Sequence, residues 1–316
     1  MMKEQIKKYW FVLALLFTTS IVSIIAYNSM NPDNAVLDTH KSYIDKTINF
    51  PFRYRVLVPF TIEYAGMITG LPIKLLYDAF TFIFLWLSLA LFFFFLKKYL
   101  SVTESLLGVL LMNSLYYASY TLFQPCDIIV LFISAASSLI IVNKLDDMRY
   151  NILLFAMLFI GTFNKETTFF IALTYAIFKA DSYLKTKKGT ELILAAASFM
   201  SCIIPYLLLR VMLGSGGGYS GYMFTLFINF TEPVQLLSAA AFFGVILFLA
   251  VRDFNAKPKD LRFMFASGMF YLVVNLFIGL YGELRLFIPT MVFLIPMFLL
   301  QIRTMSGFDS GNTMPS

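Results

Sequence analysis

Residues 38–59 read DTHKSYIDKTINFPFRYRVLVP, and they form the longest polar interval between two strongly apolar segments of the chain. This interval contains two acids, two lysines, two arginines and the sole histidine of the sequence. Ionisable residues are expensive in and near a bilayer, so they tend to mark functional sites there. The interval is therefore the first place where we expect recognition or chemistry.

The rest of the chain is apolar enough to indicate a membrane protein. Of its 316 residues, 59% are hydrophobic and 13% are charged, whereas soluble domains carry about 25% charged residues. Apolar runs of roughly 20 residues recur along the sequence, which is the length that a membrane-spanning helix needs. A chain in lipid must satisfy its own backbone hydrogen bonds, so we expect an all-α, polytopic transmembrane helix bundle that forms one integral membrane domain over residues 1–316.

The apolar runs predict about ten spans, the first of which resembles a signal peptide but is too long for one and is expected to stay uncleaved. The predicted spans cover residues 10–27, 72–96, 104–120, 126–143, 151–163, 167–180, 191–213, 233–251, 263–280 and 287–302.

The basic residues between the predicted spans predict how the chain is oriented. Most of them fall on the same side as the lysines near the N-terminus, and basic loops are typically cytoplasmic. Both termini are then cytoplasmic, as in a protein of the bacterial inner membrane, and residues 38–59 face outward. The net charge of +6 is explained by this orientation, so no nucleic-acid partner is predicted. Residues 28–71 are expected to form a first outer loop and, over residues 55–69, an interfacial helix; a disordered tail is expected over residues 304–316.

Charged residues recur at the predicted outward ends of the spans, and this indicates one polar site. The short spans at 151–163 and 167–180 meet at a polar junction, residues 164–167, which predicts a water-filled cavity on the outer side. The candidate site residues are Asp38, His40, Asp45, Arg53, Arg55, Asp127, Lys165, Glu166, Glu283 and Arg285.

Each candidate also has a structural interpretation that the sequence leaves open. Lys165 with Glu166, and Glu283 with Arg285, are placed to form structural ion pairs. Asp127 follows a proline and fits a helix N-cap. The arginines at positions 53 and 55 fit residues that extend to lipid phosphates, and His40 fits an ordinary surface residue.

The order of these features resembles the GT-C superfamily of membrane glycosyltransferases, in particular its smaller bacterial members without a soluble domain. The resemblance rests on a first span, an outer loop with an acid, and PFRYRVLVP (residues 51–59) before an interfacial helix. It also rests on Lys165-Glu166 between two short spans and on Glu283-Leu284-Arg285 before an apolar helix that contains proline. The acidic pair common near the end of the first span in that superfamily is missing here.

The resemblance implies transfer of a sugar from a polyprenyl-phosphate carrier to a lipid or envelope-glycan acceptor on the outer face of the membrane. It implies a general base in the first outer loop, for which Asp38 is the first choice and Asp45 the second. His40, Arg53, Arg55, Asp127, Lys165, Glu166, Glu283 and Arg285 would then bind substrate. The arginines suit a phosphate because the guanidinium binds its oxygens through two parallel hydrogen bonds.

Two other functions fit the same sequence. A transporter or lipid flippase would use charges near the middle of the membrane, and a non-catalytic scaffold of an envelope assembly complex would use none. The expected partners are a lipid-linked sugar donor and membrane lipids. No cofactor is predicted; the sequence contains no metal-ligand spacing but leaves dependence on a divalent metal ion open.

Overall fold

The computed structural model describes residues 2–30, 33–48, 52–119, 124–214, 231, 233–279 and 283–307. Within these ranges the protein is almost entirely helical and contains no strand. The all-α fold class predicted from the sequence is therefore confirmed for the part of the chain that the structure describes.

The α-helices follow one another with short connections. In chain order they are α1 (Met2–Met30), α2 (Asp33–Ile44), α3 (Leu57–Thr69), α4 (Ile73–Leu96), α5 (Val102–Ala118), α6 (Gln124–Lys144), α7 (Met148–Thr162), α8 (Phe169–Thr186), α9 (Gly189–Leu213), α10 (Pro233–Ala239), α11 (Val245–Val251), α12 (Lys259–Ile278) and α13 (Ile288–Met305). A π-helical turn, Ala240–Gly244, joins α10 to α11, and 3₁₀ turns occur at Phe52–Tyr54, Glu166–Thr168, Phe254–Ala256 and Leu284–Phe287.

Five of the described helical segments are long and apolar enough to cross a membrane: Lys8–Ser29, Ile73–Leu96, Pro125–Lys144, Gly189–Leu213 and Leu284–Met305. Each corresponds to one of the predicted spans. The other five predicted spans fall on α5, α7, α8, the α10–α11 segment and α12, which are shorter or less apolar. Membrane association is thus supported, while the number of ten crossings stays a prediction.

The helices group into two compact units. The first contains Met1–Phe92 and Tyr120–Met223, and the second contains Phe93–Ser119 and Phe224–Ser316. In the first unit α9 packs against α7 and α8, α6 packs against α7, and α2 packs against α3. In the second unit α13 packs against α5, α11 and α12, and its residues 288–297 are all buried. That residues 1–316 form a single membrane domain stays a prediction.

Local sequence signals set several helix ends. Helix α5 begins with a capping box, in which Ser101 accepts from the Glu104 backbone N–H at 3.3 Å and Glu104 accepts from the Ser101 backbone N–H at 2.8 Å. Helix α3 ends at Gly70, whose φ of +68° is accessible to glycine at little cost. Pro72 follows two residues later and separates α3 from α4.

The structure differs from the sequence prediction around the first outer loop. Residues 33–44 form a helix, whereas a loop is predicted there from the sequence. The helix is stabilised because Val36, His40 and Tyr43 recur at helical spacing and are all buried. The predicted interfacial helix over residues 55–69 exists as α3, which begins at Leu57. Its location at a membrane surface stays a prediction. Residues 308–316 of the predicted tail lie outside the described residues.

Candidate functional site

A buried ion pair lies at the start of α6 in the first unit. The Lys165 ammonium donates to Asp127 Oδ1 at 2.7 Å, and each side chain is only 5% exposed. Asp127 occupies the first turn of α6, where the helix dipole favours a carboxylate. Asn164 is fully buried and donates to the Cys126 backbone carbonyl at 2.7 Å, which holds the α7–α8 junction against the beginning of α6.

Arg55 is brought to the same junction by the backbone. The N–H groups of Val56 and Leu57 donate to the Phe163 carbonyl at 3.0 and 3.2 Å. The Arg55 side chain is buried, and its guanidinium stacks on the Phe52 ring at 4.6 Å. The residues immediately after Arg55 are therefore bonded to the residue immediately before Asn164.

Tyr43, on the buried face of α2, completes this group. Burial raises the pKa of the Tyr43 phenol above its ordinary value; the Cys126 thiol and the Asp127 carboxylate act in the same direction, and Arg55 opposes them. These electrostatic effects place Tyr43 among the charged side chains at the start of α6. We call Tyr43, Arg55, Asp127, Asn164 and Lys165 the buried cluster.

The buried cluster contains three charged side chains. Arg55, Lys165 and Asp127 are each at most 5% exposed. Interactions among buried charges are strong because little water screens them. Two cations held in such an environment are suited to stabilising an anion.

A second polar arrangement links α2, α3 and α4. His40 is 6% exposed; its Nε2 lies 2.8 Å from Glu63 Oε2, and its Nδ1 lies 3.0 Å from the Tyr77 hydroxyl. Tyr77 also interacts electrostatically with Cys126 and Glu63, and Tyr43 interacts electrostatically with Tyr77. We call His40, Glu63 and Tyr77 the histidine relay, and these interactions place it beside the buried cluster.

Several of the predicted site residues lie apart from this buried group. Asp38 and Asp45 are exposed, and Asp38 lies on the side of α2 opposite His40 and Tyr43. Arg53 is half-buried and its Nε donates to the Ile48 carbonyl at 3.2 Å. Glu166 is exposed. The predicted pair of Lys165 with Glu166 is therefore replaced by the pair of Lys165 with Asp127, since Asp127 is the acid that reaches the buried ammonium.

Glu283 and Arg285 belong to the second unit, where they form the ion pair that the sequence suggests. Arg285 donates through Nε and Nη2 to Glu283 Oε2 at 3.2 and 2.8 Å. The Arg285 side chain is 4% exposed and that of Glu283 is 34% exposed. The pair stands directly before α13, at the 3₁₀ turn Leu284–Phe287.

Within the described residues, no group of three or more His, Cys, Asp and Glu side chains is arranged to hold a metal ion. Cys126 and Cys202 are both buried, and neither forms a disulfide.

Tyr43, Glu63 and Tyr77 are not among the site residues predicted from the sequence, and Asn164 is predicted only as part of the polar junction 164–167. Glu63 and Tyr77 are 23 and 37 residues from His40 in sequence, so no local spacing connects them. The helical spacing of Val36, His40 and Tyr43 was the available signal, because it places the histidine on the apolar face of a helix.

No protein-family model matches this sequence, and no curated protein and no solved structure is significantly similar to it.

Proposed function

We propose that this protein is a membrane glycosyltransferase that moves a sugar from a polyprenyl-phosphate carrier to a lipid or envelope-glycan acceptor. The observation that carries the proposal is the buried cluster, with two cations and one carboxylate beside the first turn of an apolar helix. The loose resemblance of the sequence to the GT-C superfamily points to the same reaction.

The charge of the buried cluster fits the chemistry of such a transfer. When the bond between the sugar and the carrier breaks, the phosphate gains one negative charge. Fixed cations in a site with little water stabilise charge that develops in the transition state, which is a large contribution to many enzymatic rates. Arg55 offers a planar fork for two phosphate oxygens, and Lys165 offers a compact charge.

The surrounding helices fit the carrier. A polyprenyl tail is as apolar as a lipid chain, so it belongs among membrane-spanning helices such as α4, α6 and α9. The phosphate at the end of the tail must then be bound close to such helices, and Asp127 and Lys165 lie at the first turn of α6.

Transport is the second candidate function, because a buried ion pair at the end of a candidate span is also typical of ion and substrate pathways. The two functions differ in whether a glycosidic bond forms.

The test compares Arg55→Lys with its matched control Arg53→Lys, using the protein in lipid nanodiscs. The probes are short-chain polyprenyl-phosphate sugars with radiolabelled glucose, mannose, galactose or arabinose. The acceptors are membranes of the host from which the gene has been deleted. The wild-type protein is expected to transfer one of these sugars. Arg55→Lys is expected to lose at least about tenfold in transfer, because the lysine lacks the planar fork.

Arg53→Lys is expected to transfer at the wild-type rate, because the Arg53 side chain is half-buried and its Nε donates to the Ile48 carbonyl. Absence of transfer by the wild-type protein with every donor would contradict the proposed function. Uptake of the intact lipid-linked sugar across a vesicle membrane, without a new glycosidic bond, would favour transport.

A further inference from the structure

We infer that Glu63 is the general base of the proposed transfer and that His40 and Tyr77 hold its carboxylate in position. This inference rests on the proposed function and assigns the proton-accepting group of the same site, in place of the exposed acids Asp38 and Asp45.

The contact with Glu63 indicates which nitrogen of the His40 ring carries a proton. An ionised carboxylate only accepts hydrogen bonds, so the contact of 2.8 Å between His40 Nε2 and Glu63 Oε2 requires a proton on Nε2. In a neutral ring Nδ1 is then an acceptor, and the Tyr77 hydroxyl donates to it at 3.0 Å. Each of the two contacts thus joins one donor to one acceptor, and His40 donates to Glu63 and accepts from Tyr77.

The relay is rigid at one end and accessible at the other. His40 is 6% exposed and its ring meets the Tyr77 ring edge-on, with centroids 5.5 Å apart. The Glu63 side chain is 27% exposed. A carboxylate that is fixed through one oxygen and still reachable has the arrangement that a general base needs.

The relay is also close enough to the buried cluster for one substrate to reach both. Glu63 is the seventh residue of α3, which begins two residues after Arg55, so it lies roughly 9 Å along the helix axis from the first residue of α3. His40 of the relay and Tyr43 of the cluster are three residues apart in α2, and both are buried. A sugar whose phosphate contacts Arg55 and Lys165 can therefore present its anomeric carbon towards Glu63.

The step balances without a further reactant. The acceptor hydroxyl gives its proton to the Glu63 carboxylate, and its oxygen forms a bond to the anomeric carbon. The bond from that carbon to the carrier phosphate oxygen breaks, and its electron pair leaves with the phosphate, where Arg55 and Lys165 stabilise it. His40 keeps its Nε2 proton throughout and positions the carboxylate. Glu63 afterwards releases the proton to water through its exposed side.

Asp38 and Asp45 fit this role less well. Both are exposed, and no hydrogen bond or ion pair to either side chain is present among the described residues. A base must be held within hydrogen-bond reach of the proton that it accepts, and Glu63 is the acid of this region whose carboxylate is held.

The test measures sugar transfer and donor binding separately for Glu63→Gln, with Asp38→Asn and Asp45→Asn as matched controls in the same nanodisc assay. Loss of a general base lowers transfer by about 10²–10⁴-fold. Glu63→Gln is expected to lose this much while its dissociation constant for the polyprenyl-phosphate sugar stays unchanged, and both controls are expected to transfer normally. His40→Asn is expected to lose less than Glu63→Gln, because it removes a positioning residue only.

A second measurement examines the relay without any activity. The chain has one histidine, so the protein labelled with ¹⁵N-histidine gives the NMR signals of one ring. The signals are expected to show a proton on Nε2, and in Tyr77→Phe the Nδ1 signal is expected to shift because its hydrogen-bond partner is lost.

The failures of the two proposals are distinguishable. If the wild-type protein transfers a sugar and Glu63→Gln transfers it equally fast, the assignment of Glu63 is wrong while the proposed function stands. The same conclusion follows if Asp38→Asn or Asp45→Asn abolishes transfer, or if the His40 proton is on Nδ1. If the wild-type protein transfers nothing, the proposed function fails, and the base assignment fails with it.

Discussion

Asp127 and Lys165 illustrate how much depends on single residues of this protein. Removal of one partner from a buried ion pair leaves an uncompensated charge and costs about 3–5 kcal/mol, whereas replacement of both partners by apolar residues is often neutral or stabilising. The pair is 5% exposed on both sides. Its loss one residue at a time therefore tests structure, and its loss as a whole tests function.

We predict that Asp127→Asn and Lys165→Met each lower the free energy of unfolding by about 3–5 kcal/mol. The double variant D127L/K165M should regain most of this loss, because no charge is left buried without its partner. Reversible unfolding in mixed micelles measures the three values. A double variant that is less stable than both single variants would contradict the prediction.

The control for these variants is Glu191→Gln. Glu191 pairs with Lys179 at 2.9 Å, and Lys179 is 1% exposed, so breaking this pair should cost comparable stability. Glu191 and Lys179 are not part of the buried cluster. Donor binding should therefore survive in Glu191→Gln and disappear in the double variant D127L/K165M.

Tyr43 predicts a pH dependence of stability. Burial raises the pKa of its phenol above the ordinary value of about 10. The unfolded chain therefore loses this proton near pH 10, while the folded protein keeps it. The contribution of Tyr43 to stability is fully present below about pH 10 and is lost as the pH rises above that value.

The measurement is the unfolding midpoint of the wild type and of Tyr43→Phe between about pH 8 and about pH 11. The wild type should lose stability more steeply than Tyr43→Phe above about pH 10. Parallel curves for the two proteins would show that the phenol is not protected by burial.

For single residues, the sequence predicts which side chains belong to the site better than it predicts which side chains they contact. Arg55, Asp127, Lys165 and His40 are recognisable as candidates because charged and polar residues are rare in so apolar a chain. Their partners are not recognisable, because Asp127 and Lys165 are 38 residues apart and are joined only by the packing of α6 against the α7–α8 junction. Asp38 was favoured by its position in the interval, and only the formation of α2 shows that it faces away from His40.

Among the helices, apolar runs in the sequence predict the position of most, but they do not predict the helices that are largely polar. The ten predicted spans fall on helices because long apolar segments have no other stable form in lipid. Helix α2 was missed because only one of its faces is buried and the rest is polar. How closely two helices pack cannot be predicted from the sequence either, because it depends on which side chain of one helix contacts which glycine of the other.

Gly268 gives a test of such packing in the second unit. A Cβ on Gly268 in α12 would lie 1.8 Å from Cζ of Phe293 in α13, whose ring is 2% exposed. Glycine to alanine in a helix normally gains up to about 1 kcal/mol, but overpacking of a full core costs typically about 1–3 kcal/mol. We predict that Gly268→Ala is destabilising, because the buried ring has no room to move away.

Thermal unfolding of Gly268→Ala and Gly244→Ala measures this difference within one unit. An added Cβ on Gly244 would come no closer than 4.0 Å to Ala240 Cβ, so Gly244→Ala should be at least as stable as the wild type. Equal midpoints for the two variants would show that α12 and α13 are packed less closely.

At the scale of the whole molecule, the orientation in the membrane follows from charge. The basic loops predict cytoplasmic termini, with the α2–α3 region facing outward. We predict that single cysteines introduced in the full-length chain at positions 49 and 217, which lie outside the described residues, react with a membrane-impermeant maleimide from the outer side.

Cysteines at Lys187 and Lys259, both exposed, should react only after the membrane is opened. The native Cys126 and Cys202 are buried, so they should give little background. Labelling of Lys187→Cys in intact cells would overturn the orientation and, with it, the outward position of the buried cluster.

The central claim is that the buried cluster binds the carrier phosphate and promotes sugar transfer. Its most direct test is the rate of transfer from polyprenyl-phosphate sugars by D127L/K165M beside the wild type, both in nanodiscs and with their unfolding midpoints measured. We expect the double variant to stay folded and to transfer at least about 100-fold more slowly, since it has lost a cation that stabilises the leaving phosphate. A folded double variant that transfers sugar at the wild-type rate would show that the buried cluster does not promote the transfer.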